Sequence, residues 1–386
     1  MSFFELFYHY NWAEVSNSIY TKTASDVELA LHKKEKRDIE DFKSLISPVA
    51  LPFLEEMATL SHRLTQKRFG NTIQMYIPLY LSNECQNICT YCGFSFDNNI
   101  QRITLTDEQI LKEVEIIKSF GYEHILLVTG ESNKTVGINY LEKVIKLIRP
   151  YFSHISLEVQ PLETKEYERL ISLGVNTVLV YQETYHQKNY ALYHSKGKKS
   201  NFEYRLATPE RLGQAGVHKI GLGCLIGLED WRTDSFFTAL HLRYLEKEYW
   251  KIKYSISFPR LRPHASSDII SHLPLQRVLG NESMNEKEFV QLICAYRIFD
   301  EEVELSISTR ENQNFRNHII QLGITSMSAG SKTNPGGYSM TTNSLEQFDI
   351  ADERTTSEVA TTIKKQGYEP IWKDWDTILG FSELLI

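Results

Sequence analysis

Three cysteines fall within eight positions, Cys85, Cys89 and Cys92, in the segment Asn83–Phe94 with the spacing C-x3-C-x2-C. Soft thiolates at this density can surround one metal centre, and such donors select iron–sulfur clusters, zinc or Cu(I). A structural zinc site is closed by a fourth Cys or His. The loop holds no His, and Cys224 and Cys294 lie far along the chain in apolar surroundings. With three protein ligands a cubane keeps one iron open to an outside ligand, which is a catalytic arrangement. The competing readings are a zinc ribbon completed by a distant His, three unrelated thiols, and disulfide exchange at the C-x-x-C pair Cys89–Cys92. The third cysteine and the missing thioredoxin-like context count against the last.

The elements that must carry this loop are legible around it. From Met75 onward, short runs rich in β-branched and aromatic residues alternate with helical patterns. Strands are expected at 75–83, 124–130, 154–160, 177–184, 219–227, 253–260, 303–310 and 324–330. Helices fit between most pairs: Thr106 with Gln109 forms a capping box, and Thr208–Pro209 opens a helix that Gly216 ends. Near-continuous apolar strands in βα succession favour a parallel sheet closed into a (βα)8 barrel, with a doubly wound open sheet as the alternative. Ahead of it, Ser25 and Glu28 are read as the cap of a charged helix running to about Ile46, and a second helix is expected over 51–69, ended by Gly70. The run His32–Asp38 is read as a solvated helix face.

In a barrel the chemistry sits at the C-terminal strand ends. The polar residues there are the three cysteines, Gly130 and Glu131, Glu158 and Gln160, Gln182 and Glu183, Arg260 and Arg262, Arg310 and Glu311, and Ser326 and Ser328. The 386 residues carry 42 Lys plus Arg against 49 Asp plus Glu, a net charge of −7, so no polyanion-binding field is expected and nucleic acid is excluded as a partner. No run is long and apolar enough to span a bilayer, and the first residues lack a basic leader pattern, so a cytoplasmic protein is expected.

The C-x3-C-x2-C motif with Tyr91 before its last cysteine, at the mouth of an expected βα barrel, resembles that of the radical S-adenosylmethionine (SAM) enzymes. Within that superfamily, YQETY (181–185), GLGCLIGLEDWR (221–232), SFPRLRP (257–263), STRE (308–311), SAGSKTNPGGY (328–338) and WKDWD (372–376) resemble the tyrosine lyases, the 2-iminoacetate synthases of thiamine biosynthesis. The resemblance runs from Asn11 onward. It implies a [4Fe–4S] cluster on Cys85, Cys89 and Cys92, SAM chelating the fourth iron, and an external one-electron reductant such as a flavodoxin or ferredoxin. It further implies that L-tyrosine is cleaved between Cα and Cβ to 2-iminoacetate and p-cresol, with thiazole synthase as the protein receiving the imine. The related hydrogenase-maturing tyrosine lyase carries a second cluster on a C-terminal extension. This chain has no cysteine after Cys294, so that lyase's cyanide and carbon monoxide chemistry is not expected.

Residue roles follow from the same resemblance joined to charge. Arg310 has the fork that suits the tyrosine carboxylate, and Ser328 can add a hydroxyl. The alternatives are a salt bridge to Glu311 or another rim acid for Arg310 and a turn role before Gly330 for Ser328. Gly130 and Glu131 are assigned to the SAM methionine end, and Glu131 and Glu158 to its ammonium and ribose hydroxyls. Each carboxylate can instead be a rim ion pair. Gln182 and Glu183 are placed along the adenosyl or substrate region, Arg205 or Lys198 opposite the SAM carboxylate, and Tyr91 near adenine. Gly336–Gly337 is read as a turn, either a plain surface turn or one that lets backbone approach a ligand. The expected division is a helical extension over 1–70, a barrel over 71–331, and a segment over 332–386 packing on the barrel.

Overall fold

The computed structural model describes residues 2–262, 284–340 and 346–374. Pro263 of the SFPRLRP motif, Trp375 and Asp376 of the WKDWD motif, and parts of the expected C-terminal segment lie outside the described residues.

Eight parallel strands form a closed ring: β1 (Thr72–Ser82), β2 (His124–Thr129), β3 (His154–Glu158), β4 (Val175–Leu179), β5 (Lys219–Leu222), β6 (Lys253–Ser257), β7 (Glu304–Ile307) and β8 (Ser326–Ser328). Each pairs with its sequence neighbour, and β8 closes on β1 in the register Gln74 opposite Ser326 and Tyr76 opposite Ser328. All eight fall inside or across the runs expected from the sequence. The open-sheet alternative is thereby excluded, because no edge remains between the first and last strands. A ninth short strand, β9 (Glu369–Ile371), which the sequence reading missed, pairs with the start of β1 at Thr72–Gln74.

The outer face of the ring carries the apolar core; Leu127, Ile155, Val178, Ile220 and Leu305 are buried against the surrounding helices. The inner face differs from the branched apolar filling usual in such barrels. A cavity runs down the barrel, lined by Ser156, Thr177, Ser255, Ser306, Ser326 and Ser328 with Tyr76, His124, Lys219 and Glu304, and with Leu126, Val128 and Leu179 as its apolar part.

Five helices precede the barrel: α1 (Phe3–Phe7), α2 (Trp12–Tyr20), α3 (Ala24–His32), α4 (Ile39–Leu45) and α5 (Leu54–Phe69). α5 ends at Gly70 as expected, with φ +64° at that glycine. The single charged helix expected through Ile46 is two helices. α3 is capped by Thr23 with Asp26 as its box partner, and Ser25 sits inside the first turn. Both T-x-x-D and S-x-x-E fit a capping box; the earlier frame places Val27, Ala30 and Leu31 in the core. Between α3 and α4, Arg37 donates to the carbonyls of Ala30 (2.8 Å) and Leu31 (2.9 Å), and Asp38 caps α4. The run read as a solvated helix face is therefore a helix-ending turn. α1 reaches the barrel helices by stacking Phe3 flat on His241 at 3.6 Å.

The barrel mouth as candidate active site

The chain leaves β1 at Ser82 and makes a loop that returns to the rim at Arg102. Two side chains close it. Asn83 donates to the Gln101 carbonyl (2.8 Å) and accepts from the Ile103 amide (2.6 Å), while Arg102 donates to the carbonyls of Asn83, Phe94 and Ser95. Within this loop Ile88–Cys89 forms a short antiparallel ladder with His194–Lys196. Gly130 is obligatory beneath it, since a Cβ there would lie 2.3 Å from the Glu84 carbonyl oxygen. Gly93 is equally constrained: its Cβ would meet the Glu346 carbonyl at 2.6 Å.

Cys85, Cys89 and Cys92 line one wall of a cavity shared with Glu131, Glu158, Glu183, Lys199, Arg205 and Arg310. No disulfide joins them. Burial pushes the Cys92 thiol up to about 11, with the neighbouring Cys85 adding to the shift, and burial likewise raises Cys85 and Cys89. Among the described residues no group of three His, Cys, Asp or Glu closes round a single metal ion. The thiols face a space instead. Three mutually repelling soft donors around an open cavity fit a polynuclear cluster whose positive charge offsets the thiolates.

Behind the cysteines, two acids and two cations make a closed network. Glu131 accepts from Arg205 Nη1 (2.9 Å) and Asn87 Nδ2 (2.8 Å); Glu183 accepts from Lys199 Nζ (2.7 Å). Burial raises both carboxyls, but Arg205 and Lys199 outweigh it and hold both below the usual glutamate value. Glu183 occupies the left-handed region with φ +70°, a strained backbone for a residue with a Cβ, and its carbonyl accepts from the Leu225 amide at 2.7 Å. The hydroxyl of Tyr91 donates to His194 Nε2 (2.8 Å), because His194 Nδ1–H is committed to the Tyr190 carbonyl (2.9 Å). Burial keeps that imidazole neutral.

Across the mouth, Arg310 follows β7 with its guanidinium 3.3 Å above the Phe348 ring. The expected alternative, a pair with Glu311, does not form. Glu311 instead holds Arg260 Nε (2.8 Å) and Arg262 Nη2 (2.9 Å). Among the described residues Arg310 makes no ion pair; its guanidinium donates one long hydrogen bond, to the Arg260 carbonyl at 3.5 Å. Arg310 and Glu158 line both the cysteine cavity and the barrel cavity. Burial lifts Glu158 to about 7, only partly offset by Arg310. Ser328, the last residue of β8, accepts from the Thr309 amide at 3.2 Å and faces the lumen, so it is not a turn residue.

The geometry thus gathers Cys85, Cys89, Cys92, Tyr91, Gly130, Glu131, Glu158, Glu183, Arg205 and Arg310 round one cavity, with Ser328 on the adjoining lumen wall. Gln182 is not brought there. Tyr181 and Glu183 line the cavity, and strand-like alternation turns the intervening side chain outward into the protein. Lys198 is exposed, and its neighbour Lys199 is the lysine that points inward. Gly336–Gly337 forms a turn away from the cysteines that lets Tyr338 donate to the Pro78 carbonyl at 2.8 Å. The sequence reading missed Asn87, Lys199, Tyr181, Gln347 and Phe348. Gln347 accepts from Tyr80 Oη (2.8 Å) and approaches Cys92 Sγ at 3.9 Å. Only Asn87 carried a signal, its place between two of the cysteines.

A parallel eight-stranded barrel with three cysteines on a loop after its first strand defines a radical SAM protein. The Radical SAM superfamily matches residues 79–239 and the Biotin and Thiamin Synthesis associated domain residues 257–369. The chain is 49% identical over 371 residues to the 2-iminoacetate synthase of Salmonella typhimurium, covering 96% of this chain and 95% of that one. It is 48% identical to that of Escherichia coli, with 96% of both chains covered. It belongs to the 2-iminoacetate synthase family. Among solved structures, the [FeFe]-hydrogenase maturase HydG superposes with a TM-score of 0.86 at 29% identity, over 93% of this chain and 80% of that one. Methylornithine synthase superposes at 0.71 with 17% identity, over 89% and 97%, a likeness of fold.

Proposed function

We propose that the chain is a radical SAM carbon–carbon lyase. It cleaves L-tyrosine between Cα and Cβ to 2-iminoacetate and p-cresol, with SAM consumed to 5′-deoxyadenosine and methionine, and supplies the imine for the thiazole of thiamine. The observation that carries this reading is Arg310, a half-buried guanidinium without an ion-pair partner among the described residues, which lines both the cysteine cavity and the barrel lumen. When bound and reduced by one electron, a [4Fe–4S] cluster with SAM supplies a 5′-deoxyadenosyl radical that takes hydrogen from the substrate amine.

The protein's part is to bind, orient and exclude water. Cys85, Cys89 and Cys92 hold the cluster. Glu131, held by Asn87 and Arg205, accepts from the SAM ammonium, and Gly130 keeps that strand end close to the cysteine loop. Glu183, fixed by Lys199, and Tyr91, fixed by His194, border the adenosyl region. Arg310 takes the tyrosine carboxylate in a bidentate pair and Ser328 adds a hydroxyl. Glu158, neutral below pH about 7, faces the ribose without competing for Arg310. In this reading residues 71–331 are the catalytic unit, with the described residues of 1–70 and of 332–386 packed on it; a flavodoxin or ferredoxin supplies electrons and thiazole synthase takes the imine.

The test is an anaerobic reaction of the reconstituted, reduced protein with SAM, with and without L-tyrosine, scored for 5′-deoxyadenosine and p-cresol. Both products, with p-cresol strictly dependent on tyrosine, are expected. Deoxyadenosine without p-cresol returns the substrate to the wider class of aromatic amino acids such as tryptophan. Neither product from a cluster-loaded sample makes the protein a silent iron–sulfur scaffold.

A further inference from the structure

The reaction proposed above requires single electrons from outside, and the deeper question is where they enter. We infer that the face formed by Lys188, Leu192, Lys196, Lys198 and Phe96 is the docking surface for an acidic one-electron carrier protein. This rests on the radical SAM reading.

Three observations converge on this face. The first is its nearness to the cysteines. Cys89 pairs through its backbone with His194, and the Thr90 amide donates to the Tyr193 carbonyl at 3.1 Å, so the segment 192–196 is one strand spacing from a cysteine whose own side chain is buried. Phe96 is tied to the same loop, its amide donating to the Asn87 carbonyl at 2.8 Å. Electron transfer falls steeply with distance, and this ladder is a short bonded path from surface to cysteine.

The second observation is charge. The chain carries a net −7, yet residues 186–200 contain Lys188, Lys196, Lys198 and Lys199 and no acid. Lys199 turns inward to Glu183; the other three are exposed. A basic face on an acidic protein orients an acidic partner by charge complementarity. Of the nearest acids, Asp97 accepts from Ser95 Oγ at 2.5 Å, which partly satisfies it.

The third is apolar exposure in the same place. Phe96 and Leu192 are each 53% exposed, among only a few large hydrophobic side chains so open in the described residues. Lys196 Nζ lies over the Phe96 ring at 5.1 Å, and Lys188 and Leu192 share one helix face at i, i+4. An apolar centre rimmed by cations suits a small, transient, charge-steered interface. The carrier gives up one electron and the bound cluster gains it; no atoms move.

The experiment uses the full-length, cluster-loaded protein and a purified bacterial flavodoxin. Binding is measured by calorimetry, and deoxyadenosine formation is measured with reduced flavodoxin and, separately, with dithionite. Lys188→Glu with Lys196→Glu is expected to weaken flavodoxin binding at least tenfold and to flatten its salt dependence, with Phe96→Ser adding a smaller loss. Dithionite-driven turnover stays at the level of the parent protein. Lys364→Glu with Lys365→Glu, exposed lysines on the helix Thr356–Lys365, leaves binding unchanged. Unaltered flavodoxin binding in the first variant overturns the assignment, as does weakened binding of thiazole synthase in its place. Equal loss with both reductants also overturns it, because the lysines would then serve the cysteine loop and not docking. Absence of deoxyadenosine from the parent protein under dithionite is a failure of the enzymatic reading, and the calorimetric arm still decides the docking face.

Discussion

The two charged groups that face each other across the barrel mouth are built in opposite ways. On the cysteine side, Glu131 and Glu183 are matched by Arg205 and Lys199, so the network is balanced and each carboxylate is aimed by hydrogen bonds. On the opposite side Arg310 stands over an aromatic ring with no carboxylate of its own, because the adjacent Glu311 is held by Arg260 and Arg262. A balanced network fixes acceptors in place for a cationic group. A half-buried cation left over favours an anion that completes it. In the proposed reading, the contrast separates the end assigned to the SAM ammonium from the end assigned to a substrate carboxylate.

The comparison can be broken most completely at the cysteines that bound one side of it. Cys89→Ala is expected to lose the cluster and all activity while the barrel stays folded, checked by iron content and circular dichroism together; full iron in the variant removes Cys89 from the ligand set. The next largest effect falls on the diverted acid. Glu311→Ala leaves two partly buried guanidiniums without their carboxylate and should destabilise the fold by about 3 kcal/mol in denaturant titration. An unchanged midpoint would mean that Glu311 is not what keeps Arg260 and Arg262 in place.

Arg310→Ala tests the unmatched side directly. Loss of a buried charge-assisted pair costs roughly 2–5 kcal/mol, so KM for tyrosine should rise about 100-fold while iron content and tyrosine-independent SAM cleavage persist. Glu131→Gln, on the balanced side, should raise KM for SAM about tenfold and leave KM for tyrosine alone; the reverse split would exchange the two ends. The smallest effect sharpens the boundary between them. Glu158 has a raised pKa of about 7, so it is neutral below that pH and ionised above it. As pH rises through 7 its carboxylate competes for Arg310 and KM for tyrosine should climb. Glu158→Gln should abolish the inflection, and a persisting inflection assigns it to another group.

How much of this was legible beforehand differs by region. The eight strands could be read because parallel strands covered on both faces keep continuous apolar runs, as in HILLVT of β2. The cysteines could be read because three soft ligands at fixed spacing have few other uses. What failed depended on orientation or on distant chain. Lys198 and Lys199 are adjacent in an irregular stretch, and sequence does not say which points inward. Gln182 was included with Glu183 because alternation was not applied beyond the end of β4. Two capping boxes overlapped at Thr23 and Ser25, and burial of Val27 chose between them. Gln347 and Phe348 come from more than 250 residues away from the cysteines they approach, without any local pattern to announce them. The substrate itself came from the resemblance to tyrosine lyases and not from any residue's chemistry.

The serine-lined interior of the barrel bears on how the protein responds to heat. A sheet that buries branched apolar side chains on its outer face, and on its inner face sets hydroxyls among a few such side chains (Leu126, Val128 and Leu179), exposes proportionally less apolar and more polar surface when it melts. Apolar exposure raises the heat capacity of unfolding and polar exposure lowers it, so the increment per residue should fall below the usual ~12–15 cal/mol/K. The resulting stability curve is broad and shallow, so the barrel's stability changes little on cooling.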